Sequence, residues 1–295
     1  MFTQFLGNYL LNQNIITSAQ LIDALEAKKN TRLKLGMLAI NAGYMNAEQV
    51  ELVHEVQTVQ DKRFGDIAIE KGYLTNEQLD DLLNSQATGY LLLGQALVDN
   101  GALTNEGFAD VLHAFKEKYE LSDTDLKDIQ DDKLQQLVHA YFSNKENAIY
   151  YIDFTILLFK NLIRFIGDDF LMLNPSEQLS DKVSESYIAF ASQKVTGETF
   201  DSNVTIAFDN PDVLNQFACR YAQEEDLGSD EFIEAAACDF INLHNGLFTV
   251  NMSFANEIEL RLEAPEFTNS FALDNASLFL PVQFTFGVVT FILSN

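Results

Sequence analysis

The 295-residue sequence lacks tryptophan altogether and contains only two cysteines, four prolines and four histidines. Cys219 and Cys238 are too few for the disulfide framework of a small secreted protein. They also show no ligand spacing with the scattered histidines, so the residue pattern disfavours a metal centre. We therefore expect both cysteines to be free and the protein to carry no metal of its own.

Basic residues are also scarce, since 18 Lys and Arg stand against 44 Asp and Glu, giving a formal charge of -26. A surface this acidic repels phosphate backbones and anionic lipid headgroups. We therefore expect neither nucleic-acid binding nor attachment to a membrane surface. The hydrophobic content of 47% is ample for a core, and the length suggests about two domains.

Long uninterrupted apolar runs are missing as well. Residues 1–13 lack the basic and apolar regions of a secretory signal. The apolar stretch 149–166 contains Asp153, Lys160 and Arg164, which are costly in a bilayer. The segment 279–293 is too short to span a membrane and alternates like a strand. These features predict a cytoplasmic protein without membrane insertion.

A repeat of 29 residues runs through the first part of the chain. Its glycines are Gly7, Gly36, Gly65 and Gly94, followed seven residues later by Asn14, Gly43, Gly72 and Gly101, and ten residues later by Thr17, Asn46, Thr75 and Thr104. The second set tolerates the left-handed conformation that ends helices, and the third set are good N-cap residues, with Gln20, Glu48, Glu77 and Glu106 in the following turns. Residues 1–121 are thus predicted to form an all-α domain of four units, each a short helix, a turn and a capped longer helix. By itself the spacing favours a structural helical array.

The two middle units carry a more specific pattern, at residues 34–57 and 63–86. They resemble the tandem 24-residue motifs of the MshEN domain, the N-terminal module of type II secretion and pilus ATPases, which bind cyclic di-GMP. The resemblance implies that the ligand would meet Lys34, Gly36, Gly43, Gln57, Arg63, Gly65, Gly72 and Gln86.

The two copies of the motif differ in the basic residue that they offer to the ligand. The guanidinium of Arg63 could stack on a guanine and offer it paired donors, and glycines allow a close approach of the backbone to phosphate. Lys34 stands where the family has Arg and lacks the planar fork. The alternative is a repeat domain that keeps the scaffold and uses it for protein contacts.

The region 122–144 is predicted to connect the two halves. A polar stretch is followed by Leu126, Ile129, Leu134, Leu137 and Tyr141 at helical spacing, without a Gly/Ser-rich or Pro-rich spacer. We therefore expect a connecting amphipathic helix.

Residues 145–295 are predicted to form an α+β domain with an antiparallel sheet. A buried helix is expected over 149–166 with Gly167 at its end, and a strand over 204–208. Asn210 and Pro211 open a further helix, and Ser229 opens another. Alternating apolar residues predict strands over 258–262 and 282–288.

The helix after Ser229 places Ala235, Asp239, Asn242 and Gly246 on one face. A carboxylate and an amide at this spacing usually mean only a solvated helix face. The adjoining stripe, predicted to face the core, consists of Phe232, Ala236, Phe240, Leu243 and Leu247.

The segment 229–246 resembles the signature helix of the CheX/CheC chemotaxis phosphatases, whose motif is Glu-x-x-Asn-x-x-x-Gly. Here it stands as Asp239-x-x-Asn242-x-x-x-Gly246, and the resemblance extends over about 145–295, with a single motif copy as in CheX. It implies a CheX-like domain that dephosphorylates a phospho-aspartate on a CheY-like receiver. By this resemblance Asn242 orients the attacking water, Asp239 holds the receiver's conserved Lys, and the receiver supplies the Mg²⁺. By analogy with CheX, the chain would pair as a homodimer.

The sequence leaves open whether such an enzyme is active. Asp239 is one methylene shorter than the family's Glu, and about 1 Å of displacement can cost a hundredfold in a positioned reaction. The alternative is a non-catalytic adaptor that binds receivers or secretion and pilus machinery. If both resemblances hold, cyclic di-GMP at the first domain would regulate the second. We assign neither a general-base role to His244 nor a reactive thiol to Cys238.

Overall fold

A computed structural model describes residues 2–85, 88–122, 131–142, 148–173, 176–178, 186–198, 200–270 and 277–294. The chain divides into two compact units, a first at 2–129 and a second at 130–295. This division falls inside the predicted connecting region. Within the described residues, no helix is long and apolar enough to cross a membrane.

The described part of the first unit consists of helices joined by short turns. They are α1 (Phe2–Asn12), α2 (Ser18–Lys28), α3 (Leu35–Asn41), α4 (Ala47–Val59), α5 (Phe64–Glu70), α6 (Asn76–Asn84), α7 (Gly89–Asp99) and α8 (Asn105–Lys118). The two middle units have the predicted short and longer helix, whereas α1 and α2 are equally long.

The predicted turns and caps of the repeat are confirmed. The turn residues Asn14, Gly43, Gly72 and Gly101 have φ values of 55°, 69°, 74° and 72°. The predicted N-cap residues Thr17, Asn46, Thr75 and Thr104 each accept a hydrogen bond from a backbone N–H of the first turn. In three units a glutamine closes the capping box, namely Gln20, Gln49 and Gln78, so Glu48 and Glu77 supply first-turn charge instead.

Each repeat glycine lies where the next helix of its own unit packs against it. The neighbour is always the side chain 14 positions later. A Cβ added to the glycine would lie 3.4 Å from Leu21 at Gly7, 2.6 Å from Val50 at Gly36, 2.8 Å from Leu79 at Gly65 and 2.3 Å from Phe108 at Gly94. Close helix packing therefore explains Gly36, Gly65 and Gly94. At Gly7 a Cβ would make only an ordinary van der Waals contact with Leu21.

The second unit combines four described helices with an antiparallel sheet. The helices are α9 (Asp131–Phe142), α10 (Ala148–Phe165), α11 (Pro211–Ala222) and α12 (Asp230–Asn256). The strands are β1 (Phe170–Met172), β2 (Ser176–Gln178), β3 (Ala189–Gly197), β4 (Asp201–Phe208), β5 (Leu260–Leu262), β6 (Glu266–Thr268), β7 (Ser277–Phe284) and β8 (Gly287–Ser294). The predicted α+β fold with an antiparallel sheet is confirmed for this unit.

The sheet has the order β1-β7-β8-β4-β3-β5, with β2 also paired to β7 and β6 also paired to β3. Long helix α12 contacts β3 to β6 and both α10 and α11. Fully buried side chains of α12, such as Phe240 and Phe248, meet Phe154 of α10 and Phe217 of α11 in the core. This packing fixes which face of α12 is left to solvent.

Three details of the predicted elements are wrong. Ile149, expected in the buried face of α10, is 47% exposed, because the core side of this helix passes through Phe154, Leu158 and Leu162. The segment 282–288 is not one strand, since a turn at Thr285 and Phe286 separates β7 from β8. The apolar stripe of α12 is misplaced, as shown below. In the connecting region 122–144, a helix is present as α9 at Asp131–Phe142. Leu126 and Ile129, which were expected in the same helix, lie outside the described residues.

Candidate functional site

Asp239 and Asn242 lie one turn apart on α12, and both are exposed. The helix begins after Ser229, with Asp230 and Glu231 favourably placed in its first turn. Its buried face consists of Ala237, Phe240, Ile241, His244, Asn245, Phe248 and Met252. The carboxylate and the amide therefore project from the opposite side, as their spacing predicts.

The Asp239 carboxylate is held by a neighbouring helix. The Tyr221 hydroxyl, on α11, donates a hydrogen bond of 2.8 Å to Oδ2 of Asp239. The Tyr221 ring packs edge-on against Phe165 and Phe240. Burial, and then the hydrogen bond to Asp239, raise the pKa of Tyr221 far above its ordinary value. The hydroxyl thus stays a donor, and Oδ1 of Asp239 remains available to a partner.

The Asn242 amide is held from the sheet. Nε2 of Gln193, on β3, donates to Oδ1 of Asn242 at 2.8 Å. The same nitrogen donates to the backbone carbonyl of Glu263, also at 2.8 Å. Both members of the exposed pair are therefore fixed by side chains from other elements.

The outer face of α12 around this pair is apolar. Phe232 is 64% exposed, Leu247 39% and Phe254 88%, so the prediction that Phe232 and Leu247 face the core is wrong. The buried face of α12 is centred on Phe240, His244 and Phe248. Part of the stripe that was predicted to face the core therefore faces solvent. We call the exposed set the α12 stripe, consisting of Phe232, Leu247, Val250 and Phe254.

Acidic side chains accompany the α12 stripe. Asp230 and Glu231 are exposed at the start of the helix, and Glu224, Glu225 and Asp226 are exposed in the preceding loop. Apolar contact area of this kind suits a protein surface, and the surrounding acid suits a partner with basic residues at its rim.

His244 faces the core rather than the exposed pair. It is buried, and the Asn161 amide nitrogen donates to its Nδ1 at 3.0 Å. The ring packs against Phe154 and Phe240. Burial lowers the pKa of His244 from 6.5 to about 3, so the imidazole is neutral. This location fits the expectation that His244 is not a general base.

The low pKa of His244 predicts that the second unit loses stability on acidification. Between about pH 6.5 and pH 3 the unfolded chain binds one more proton at His244 than the folded chain. This contribution is complete above pH 6.5 and declines as the pH falls. We expect the contribution of His244 to the free energy of unfolding to drop by about 2 kcal/mol from pH 6.5 to pH 5. Urea unfolding followed by NMR signals of the second unit measures it.

The matched variant is His244→Gln, which keeps a polar side chain but cannot titrate. Its free energy of unfolding should change less with pH over the same range, whatever its value at pH 7. Equal pH slopes in the two proteins would contradict a neutral buried His244.

Cys238 adjoins Asp239 in sequence but is half-buried, and burial together with Glu234 raises the pKa of its thiol. A protonated thiol is a poor nucleophile, which agrees with a packing role. Cys219 is buried, and both cysteines are free. No cluster of three or more potential metal ligands occurs among the residues that the structure describes.

Several of the predicted ligand residues of the first unit have other partners or roles. Lys34 precedes α3, and its Nζ lies 2.6 Å from Oδ1 of Asp99. The buried Gln95 accepts from the Lys34 backbone N–H at 3.2 Å and donates to Asp99 at 2.9 Å. The charge of Lys34 is therefore paired within the unit.

The remaining predicted ligand residues differ in exposure and in their contacts. Arg63 is exposed at the equivalent position before α5. Gln57 donates to the backbone carbonyl of Lys62 at 3.2 Å. Gly36 and Gly65 are buried in helix contacts, and Gly43 and Gly72 form the exposed left-handed turns. Gln86 lies outside the described residues.

No protein-family model matches the sequence, and no curated protein matches it. About half of the chain is similar in fold to solved CheX-like structures. The CheX of Desulfovibrio desulfuricans is 11% identical, with a TM-score of 0.41, over 49% of this chain and 97% of that chain.

Two further structures give similar values. A CheC-like protein of Shewanella oneidensis is 10% identical over 50% of this chain and 99% of that chain, with a TM-score of 0.43. The CheX of Borrelia burgdorferi is 16% identical over 49% of this chain and 96% of that chain, with a TM-score of 0.41. That CheX was solved in complex with CheY, BeF3 and Mg²⁺.

Tyr221 and Gln193, which hold the exposed pair, were not predicted from the sequence. Tyr221 lies 18 residues from Asp239, and Gln193 lies 49 residues from Asn242, on elements whose packing no local pattern specifies. The direct neighbours of Gln193 in the sequence, Ser192 and Lys194, are polar, so no local pattern marked Gln193 as a buried amide.

Proposed function

We propose that the second unit binds the phosphorylated form of a CheY-like receiver domain with the outer face of α12 and removes the phosphoryl group from the receiver's aspartate. The observation that carries the proposal is the geometry of one helical turn. Asp239 and Asn242 are exposed side by side, and each is held by a hydrogen bond from another element.

The reaction needs positioning rather than a reactive side chain. Water attacks phosphorus in line with the leaving carboxylate, the bond between phosphorus and the aspartate oxygen breaks, and inorganic phosphate leaves with the protons of the water. Mg²⁺ held by the receiver neutralises the phosphoryl oxygens. Asn242 hydrogen-bonds the water, and Oδ1 of Asp239 accepts from the receiver's Lys. Neither step requires His244 or Cys238, which agrees with their burial.

The surroundings of the pair supply the binding surface. The α12 stripe places large apolar side chains on both sides of Asp239 and Asn242 along the helix. Their burial against a partner would favour association, because it removes apolar surface from water. The nearby acid favours approach of a basic-rimmed receiver and makes the association rate sensitive to salt.

The proposal predicts that the purified chain accelerates loss of the acyl phosphate. With Mg²⁺ and a panel of receivers phosphorylated by acetyl phosphate, we expect at least one to lose phosphate about a hundredfold faster or more, because one oriented hydrogen-bonding group contributes on this scale. Release of inorganic phosphate, compared with each receiver alone, measures the effect. Tight binding of beryllofluoride-treated receivers with unchanged decay would leave only a binding role.

That second outcome corresponds to a non-catalytic adaptor, and one observation favours it. Asp239 is shorter than the family's Glu, and Tyr221 already occupies its Oδ2. The carboxylate therefore extends less far toward a partner. A homodimer and a cytoplasmic location stay predictions.

Regulation by cyclic di-GMP also stays a prediction, and the first unit gives it limited support. Arg63 is exposed, whereas Lys34 is paired with Asp99. Helix packing explains Gly36 and Gly65, and the left-handed turns explain Gly43 and Gly72. These contacts suit an interaction scaffold built from repeats.

A further inference from the structure

We propose that Gln193, on β3, is a positioning residue that fixes the orientation of the Asn242 amide. The effect of Gln193 on catalysis rests on the proposed function, whereas its effect on the orientation of Asn242 does not. Gln193 lies outside the motif and is 1% exposed. Its side chain connects the interior of the unit to the exposed turn that carries Asp239 and Asn242.

The hydrogen bonds around Gln193 form a directed chain. Nδ2 of Asn245, which is fully buried, donates to Oε1 of Gln193 at 2.9 Å. Nε2 of Gln193 then donates to Oδ1 of Asn242 and to the Glu263 carbonyl, both at 2.8 Å. The Gln193 amide therefore has a partner for its oxygen and one for each of its two N–H groups.

This chain determines which atom of Asn242 faces outward. A backbone carbonyl can only accept, so the Gln193 atom next to the Glu263 carbonyl must be the nitrogen. That nitrogen also contacts Asn242, and both of its hydrogens are then used for donation. Asn242 must therefore direct its oxygen inward and its Nδ2 toward solvent.

The orientation has a chemical consequence at the proposed site. An exposed asparagine would otherwise rotate between two amide orientations, because its terminal torsion is broad. With Oδ1 anchored, Nδ2 is presented as a fixed donor, and the second lone pair of Oδ1 remains available to a water. A water bound to the Asn242 amide therefore has a fixed location relative to an incoming phosphoryl group. The Asn242 side chain does not need to reorient during the reaction.

The test compares Gln193→Met with the wild-type chain. Methionine has a similar length but cannot donate to Asn242. We expect the NMR order parameter of the Asn242 side-chain NH₂ to fall from about 0.8 to below about 0.6. We also expect kcat for receiver dephosphorylation to fall about tenfold to a hundredfold, with KM for the receiver within about twofold.

Ser192→Ala is the matched control on the same strand. Ser192 is buried and hydrogen-bonds Thr205 at 3.0 Å, so its loss disturbs β3 without touching Asn242. The order parameter of Asn242 and kcat should both stay at the wild-type values in this variant. A drop of equal size in both variants would assign Gln193 a purely structural role and overturn the inference.

The two proposals fail in different ways. A wild-type chain with no effect on any receiver would refute the phosphatase, while the order parameter would still test Gln193. An Asn242 side chain equally ordered in the wild-type and Gln193→Met proteins would overturn the positioning role whatever the activity.

Discussion

Replacing Asn242 with alanine should reduce the rate of receiver dephosphorylation by about a hundredfold or more. The reaction depends on one water held in line with the leaving carboxylate, and loss of an oriented hydrogen-bonding group costs about this much. Binding should persist, because the α12 stripe and Asp239 are unchanged. Phosphate release at several receiver concentrations should therefore show a lower kcat with KM within about twofold.

Asn251→Ala provides the matched control, since Asn251 is an exposed asparagine on the same helix. This variant should retain wild-type kcat. Asp239→Ala should give the opposite signature, a raised KM, because its carboxylate is proposed to hold the partner. Wild-type kcat in Asn242→Ala would remove the amide from the mechanism.

Replacing Arg220 with methionine should destabilise the second unit by about 3 kcal/mol. Nη1 of Arg220 lies 2.7 Å from Oδ1 of Asp169, whose Oδ2 accepts from the Thr285 hydroxyl at 2.6 Å. The Asp169 side chain is 2% exposed, so the variant takes the Arg220 guanidinium away from a buried carboxylate. The contact joins α11 to the segment after α10 and to the turn between β7 and β8. Hydrogen exchange of the slowest amides in β7 and β8 reports the loss.

Two comparisons separate this effect from simple loss of a charge. Lys194→Met removes an exposed ion pair with Asp201 at 3.2 Å and should cost less than about 1 kcal/mol. The double variant Asp169→Leu/Arg220→Met should be more stable than Arg220→Met alone, because the buried carboxylate is then removed together with the guanidinium. A double variant that is less stable than the single one would contradict this account.

Much of the fold could be predicted because its signals are local. The left-handed turns at Gly43, Gly72 and Gly101 and the cap at Asn46 depend on residues within a few positions of each other. The same is true of Asn210 before Pro211, where the cap and the first helical residue are adjacent. Short-range steric and hydrogen-bonding preferences determine such features almost independently of the surroundings.

The facing of helices was less predictable. Phe232 and Leu247 are apolar at helical spacing from Phe240, yet they lie outside, while the polar His244 and Asn245 lie inside. Successive side chains are 100° apart around a helix. A small error in the assumed centre of the buried face therefore assigns a whole row of side chains to the core instead of to solvent. Which row is buried depends on β3, α10 and α11, which pack against this helix.

The sequence alone determined the helical repeat, the antiparallel character of the second half and the pairing of Asp239 with Asn242 on one turn, since each follows from spacing along the chain. The tertiary structure alone decided that this turn is bordered by exposed apolar side chains. It also brought Tyr221 and Gln193 to the two members of the pair. Contacts between residues 18 and 49 positions apart arise only when separate elements pack together, and no periodicity encodes them.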